Sequence, residues 1–221
     1  MDAIMPWLLP LILVILLLFS IVLFRLSNRR QKVWKRLAKT LELPCHFQGN
    51  PELVERMKEY RIGQRGKFPA VTAEIAGRWR QMDIHLFDYN YLVPKGGKMR
   101  RHTETLLLMR DSSLRYGQFS LLPRSLSDLP FLAQQAEISL AAKLSLQEHY
   151  YMSTESKEPA SWMLDGSLHD LLSSTQLSLN LEGSPQALLI YYKKGILKEQ
   201  EMIDLLSTGS KCFDWFKAQL H

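Results

Sequence analysis

Cysteine is scarce in this 221-residue chain: Cys45 and Cys212 are the two present, and they form no Cys-x-x-Cys pair. Zinc-ribbon and thioredoxin-like chemistry therefore have no foothold. No Gly-x-Ser-x-Gly elbow occurs, which removes the usual serine-hydrolase nucleophile. The six histidines are scattered, with no His-x-x-x-His pair, so the common helical metal motif is missing too. Gly96-Gly97-Lys98 lacks the first glycine of a phosphate loop and has Met99 where a hydroxyl would reach magnesium. It reads as a hairpin turn, and no cofactor is expected.

Charge is missing from one long run. Trp7 to Phe24 is 18 residues without a charged side chain, and Ile4, Met5 and Pro6 extend it to 21. At about 1.5 Å per helical residue this is roughly 30 Å, the thickness of a bilayer's hydrocarbon core. Acid is missing from the next run: Arg25, Arg29, Arg30, Lys32, Lys35, Arg36 and Lys39 follow with no Asp or Glu among them. The pattern predicts a transmembrane anchor over 1–24 and a basic juxtamembrane helix over 25–43. Arg25, Arg29, Arg30, Lys32, Lys35 and Arg36 would then lie on anionic lipid headgroups. Basic flanks stay in the cytoplasm. The expectation is a single-pass inner-membrane protein, N-terminus out, with residues 25–221 in the cytoplasm, where a disulfide is not expected.

The formal charge of +6 belongs to that collar. From residue 41 onward basic and acidic residues balance at 21 each, being 28 less 7 and 22 less 1. A neutral domain lacks the basic footprint of a nucleic-acid binder.

Residues 44–221 read as a soluble α+β domain, divisible into lobes 44–124 and 125–221. Asn50-Pro51-Glu52 opens a helix, with a cap, a proline at its first position and an acid in its first turn. Alternation over Val71–Ile75, Trp79–Val93, His102–Arg110 and Leu114–Leu121 predicts a four-stranded antiparallel meander. Ser125 to Ser145 and a stretch after Pro159 carry helical spacing. His149–Thr154 reads as a short strand. Leu177–Leu181 and Ala187–Lys193 make a second hairpin, turning at Glu182-Gly183-Ser184-Pro185. Lys198–Leu220, with Met202, Leu205, Leu206, Cys212, Phe213 and Phe216 on one stripe, is a long C-terminal helix.

Several stretches together carry a resemblance. They are Trp34-x-x-Leu37-Ala38-x-x-Leu41, Phe47-x-Gly49, Phe87-Asp88-Tyr89-x-Tyr91, Gly97-Lys98, Thr103-x-Thr105, Tyr150-Tyr151-x-Ser153, Leu168–Leu172 and Leu188-Leu189-Ile190-Tyr191. The chain resembles, over about residues 34–216, an uncharacterised bacterial family of membrane-anchored proteins with a domain of unknown function. Leu92-Val93-Pro94 and Leu106-Leu107 depart from its pattern. The resemblance implies a membrane-tethered cytoplasmic domain and no particular activity.

Three constellations are candidates for chemistry or binding. Ser167, His169 and Asp170 hold the residue types of a triad, but triad members converge from separate segments rather than from one helix. His85 and His102, beside Asp83 and Glu104, would form a metal or acid–base cluster if strands two and three brought them face to face. Trp79, Phe87, Asp88, Tyr89 and Tyr91 concentrate aromatic surface on one strand, as partner-binding hot spots do. The reading that follows is a membrane-tethered protein-interaction domain or accessory subunit. The alternative is a membrane-anchored enzyme using the His85, Asp88 and His102 region.

Overall fold

The structure, a computed structural model, describes residues 5–114, 117–123, 150–154, 166–173, 179–192 and 195–219. Its first element, α1 (Met5–Leu41), is one helix of 37 residues. The helix ends where Glu42 takes a positive φ of 56°. Leu43 N–H then bonds back to the Ala38 carbonyl at 3.0 Å, which satisfies an orphan carbonyl, and Pro44 prevents continuation. Trp34, Leu37 and Ala38 bury one side of the last three turns in the core.

Strand β1 (Cys45–His46) leads to α2 (Pro51–Met57), and a 3₁₀ turn (Ile62–Gln64) precedes three long strands. These are β2 (Lys67–Trp79), β3 (Met82–Lys95) and β4 (Lys98–Arg110). The remaining elements are β5 (Phe119–Pro123), β6 (Tyr150–Thr154), α3 (Gly166–Ser173), β7 (Leu179–Ser184), β8 (Ala187–Tyr192) and α4 (Glu199–Ala218). The strands form one eight-stranded sheet in the order β1-β2-β3-β4-β8-β7-β5-β6. Every neighbouring pair is antiparallel.

The fold differs from the expectation in two ways. First, among the described residues no helix is long and apolar enough to cross a membrane. Helix α1 turns basic and ends packed against the sheet. No described helix carries the expected transmembrane anchor. With it goes the single-pass inner-membrane location with its outward N-terminus and cytoplasmic domain.

Second, the meander stops at β4. The strand after Asp111 does not return alongside β4. β8 takes that place, pairing Leu106 with Tyr191 through Arg110 with Ala187, and Asp111 N–H bonds the Gln186 carbonyl. Leu106-Leu107-Leu108-Met109 is apolar on both faces, and Leu188-Leu189-Ile190-Tyr191 matches it in the centre of the sheet, where both faces are covered. The residues of β5 lie farther out, between β7 and β6.

Turn positions shift for local reasons. β2 reverses at Arg80 and Gln81, both at positive φ, inside the stretch Trp79–Val93 expected as one strand. β7 extends through Ser184, so its hairpin turns at Pro185 and Gln186. Gly96 and Gly97, at φ 59° and 75°, form a two-residue turn between Lys95 and Lys98, the backbone that a tight hairpin demands. The helix expected over Ser125–Ser145 lies outside the described residues, as does the stretch just after Pro159.

Each face of the sheet has its own core. On one, Ile75, Leu86, Leu107, Leu121, Leu181 and Ile190 pack beneath α1, α3 and α4. On the other, Phe87, Tyr89, Leu106, Leu108, Leu189 and Tyr191 pack beneath α2 and the 3₁₀ turn. Cys212 is sealed in the first core, and burial pushes its thiol up to about 12. Such a thiol is inert at neutral pH.

Candidate functional site

The second face is where polar groups gather. Asn50 caps α2 by accepting from Leu53 N–H at 3.0 Å, and its amide donates to Glu74 Oε2 at 2.9 Å. Leu53 and Met57 fasten the helix to the sheet. The chain then continues through Tyr60 and Arg61 over the distal strands. Strand pairing sets Ser120 opposite both Ser153 and Glu182, so three polar side chains from β6, β5 and β7 form a row across one face.

Glu182, 2% exposed, lies in that row. Its Oε1 accepts from the Tyr191 hydroxyl at 2.7 Å, and its Oε2 accepts from Arg61 N–H at 2.6 Å. Burial pushes its carboxyl above the ordinary range, and the two hydrogen bonds with Arg65 and Arg61 only partly offset that. The Arg61 guanidinium donates to Ser153 Oγ, and Tyr60 shares a hydrogen bond with Ser184 at 2.9 Å. Between this bridge and the row lies a cavity of about 310 Å³. Ser120 Oγ, in its floor, is buried and has no hydrogen-bond partner among the described residues.

A second polar region lies at the far end of β2–β4. From Asn90 to Thr103 the chain has no acid. Lys67, Lys95, Lys98, Arg100 and Arg101 are all exposed there, and Lys95 pairs with Lys98 and Leu92 with Arg101 across the hairpin. Phe68, 75% exposed, and Met99, 45% exposed, stand among these cations.

The residues singled out from sequence are placed otherwise. Phe87, Asp88, Tyr89 and Tyr91 are buried and Trp79 is half-buried under Arg80. The aromatic strand is interior, because both faces of β3 are covered. Asp88 and Arg30 form a bidentate pair at 2.8 and 2.7 Å. Trp34 Nε1 and the Thr105 hydroxyl also donate to Asp88, at 3.0 and 2.8 Å. Arg30 is thus taken into the protein rather than turned toward lipid. Arg36 pairs with Glu199 at 2.8 Å, Lys35 lies over the Phe47 ring, and Arg29 and Lys32 are exposed. The side chain of Arg25 is not among those described.

No acid–base cluster forms from the two histidines. His85 sits opposite Leu108 and His102 opposite Tyr91, six positions along β3, or roughly 20 Å at about 3.4 Å per residue. His85 Nδ1 is bound to Glu74 Oε1 at 2.6 Å, His102 stacks on Tyr91, and Asp88 faces the other side of the sheet. Ser167, His169 and Asp170 share the single helix α3. Among the described residues no three His, Cys, Asp or Glu side chains converge as metal ligands.

The Ser120, Ser153 and Glu182 row left one faint trace in the sequence. Asn180, Glu182 and Ser184 alternate with Leu179, Leu181 and Gly183, a strand with a polar face. Nothing local shows that residues 120 and 153 join it.

No family model and no curated protein matches this chain. Among solved structures, the crystal structure of the mycobacterial trehalose monomycolate transport factor A, TtfA, is similar to it. The TM-score is 0.61 at 10% identity, over 83% of this chain and 92% of that one. At that identity the likeness is one of fold.

Proposed function

We propose that this protein is a non-catalytic accessory factor that docks on anionic lipid headgroups through the basic end of the β2–β4 arm. The observation that carries the reading is the exposed set Lys67, Lys95, Lys98, Arg100 and Arg101, with Phe68 and Met99 among them and no acid from Asn90 to Thr103. Each cation held near an anionic surface contributes about 1 kcal/mol, and an exposed ring adds apolar contact at the headgroup boundary. The headgroup-binding role moves from the helical collar, where Arg30 and Arg36 are held by Asp88 and Glu199, to the hairpin. The fold shared with a factor named for trehalose monomycolate transport supports a part in handling lipid. Internal pairing of Glu74 with His85 and of Glu182 with Tyr191 supports a binding role over turnover.

Vesicle flotation tests it. The full chain should bind vesicles rich in anionic lipid more than neutral ones, and salt should weaken the preference. Changing Lys95, Lys98, Arg100 and Arg101 together to Glu should abolish that preference. The exposed Leu11–Phe19 segment is common to both proteins, so the difference between the two vesicle types isolates the hairpin. A preference unchanged by the four substitutions would refute the reading.

A further inference from the structure

We propose that the cavity between the Tyr60–Gln64 segment and strands β5, β6 and β7 binds a small neutral polyhydroxylated ligand, a sugar or a cyclitol. It stands independently of the basic hairpin, whose cations are not among the residues lining it.

The size comes first. At about 310 Å³ the cavity is at the low end of the range that ligand sites occupy. It is open to solvent on one side, and its wall is largely polar. Ser120, Ser153, Gln64, Gln118, Arg61 and Glu182 all contribute to its wall.

Charge comes next. Among the described residues the one cation in the lining, Arg61, is matched by Glu59, and its guanidinium already donates to Ser153. No surplus positive charge is left for an anion. A metal ion fares no better, since both oxygens of Glu182 accept hydrogen bonds from the protein and no ligand cluster occurs among the described residues. An alkyl chain would strip water from the Gln64 and Gln118 amides and return nothing.

What remains is a ligand whose groups both donate and accept. Ser120 Oγ asks for one. It is 3% exposed at residue level and has no partner among the described residues, although buried hydroxyls in folded proteins are almost always paired. A ligand hydroxyl entering the cavity would complete it. The amides of Gln64 and Gln118 each offer donors and an acceptor to the same ligand, and the ring of Tyr60, which also lines the wall, gives carbon–hydrogen faces a surface to lie against. The ligand needs no charge because the protein has already balanced its own.

The test is binding by the full chain, read by calorimetry and by saturation-transfer NMR, with glucose, maltose and myo-inositol as neutral probes and inorganic phosphate and acetate as anionic ones. At least one neutral probe should bind saturably, and neither anion should displace it. Ser120→Ala, which removes the unpaired hydroxyl at nearly constant volume, should weaken binding at least tenfold. Gln118→Ala, at a half-buried position, should do the same with little effect on folding, so it decides the matter if the Ser120 variant does not fold. Failure of all three neutral probes to saturate would overturn the proposal. So would binding unchanged in Gln118→Ala, or displacement of the bound probe by phosphate or acetate, which would make the cavity an anion site.

Discussion

Asp88 and Glu182 are both buried carboxylates of one sheet, on opposite faces, and they are satisfied in different ways. Asp88 accepts from Arg30 Nε and Nη2, from Trp34 Nε1 and from the Thr105 hydroxyl. Arg30 also donates to the Leu197 carbonyl, and Leu197 N–H to Thr105. One carboxylate therefore ties α1, β3, β4 and the lead into α4 together. Glu182 has a phenol and a backbone N–H instead, and a cavity beside it. Two desolvated acids in one sheet thus do different things. The first is charge-paired and fixes where a helix lies. The second is held by neutral donors, and its surroundings leave room.

Breaking that contrast should hurt most on the Asp88 side. Asp88→Ala leaves Arg30 without its partner in a partly buried site, where loss of one ion-pair member costs about 3 kcal/mol. Urea unfolding should show it, and the double variant Arg30→Met, Asp88→Leu should recover much of the loss. If the single and double variants are equally unstable, the pair does not act as a unit.

Gly183→Ala comes next. Gly183 pairs with Phe119 on β5, and a methyl there would collide with the Phe119 ring. Phe119 is itself stacked on Phe216, so it has little room to yield. Overpacking of this kind costs about 2 kcal/mol. A thermal midpoint equal to that of the parent would mean that the ring can turn aside.

Glu182→Gln should act through pH. The carboxyl titrates at about 4.3 in an unfolded chain and higher in the fold, because burial disfavours its charge. A raised carboxyl contributes its stability fully below the unfolded value. That contribution is lost as pH rises toward the folded value, since the unfolded chain ionises first. Stability of the parent relative to the Gln variant should therefore fall as pH rises from about 4. A relative stability that rises with pH would mean that Glu182 is charged in the fold.

The smallest effect belongs to Arg36→Ala. Its pair with Glu199 is largely exposed, and such pairs are worth under about 1 kcal/mol. A larger loss would show that the α1–α4 contact depends on it.

Local pattern made much of this molecule legible and long-range pairing made the rest obscure. The alternation of Val71–Ile75 and the stripe of Met202 to Phe216 can be read within a few residues of each element. So can the Asn50-Pro51 cap and the Gly96-Gly97 turn. The seat of β8 beside β4 cannot, because it depends on matching two apolar runs some 80 residues apart. The aromatic strand was misleading for the same reason. Phe87 and Tyr91 alternate as an exposed binding face would, and only the arrival of α2 on that face buries them. Arg30 looked like one more cation of a collar until the fold brought Asp88 to it. The apolar run before it was read by length, whereas among the described residues no helix is long and apolar enough to cross a membrane.

The outer edge of β2 bears on how copies of this chain behave toward each other. β1 pairs with Ile75 and Glu74 alone. The rest of that edge, from Lys67 to Ala73, has no strand beside it among the described residues, yet it is a poor template for one. Two register shifts interrupt its ladder, between Lys67 and Ala70 and between Val71 and Ala73. Pro69 withholds an N–H, and Lys67 brings charge to the rim. Open strand edges with these features resist end-on growth into fibrils. Pro69→Val, which restores the missing N–H, should therefore shorten the lag before aggregation while leaving the folded core as it is.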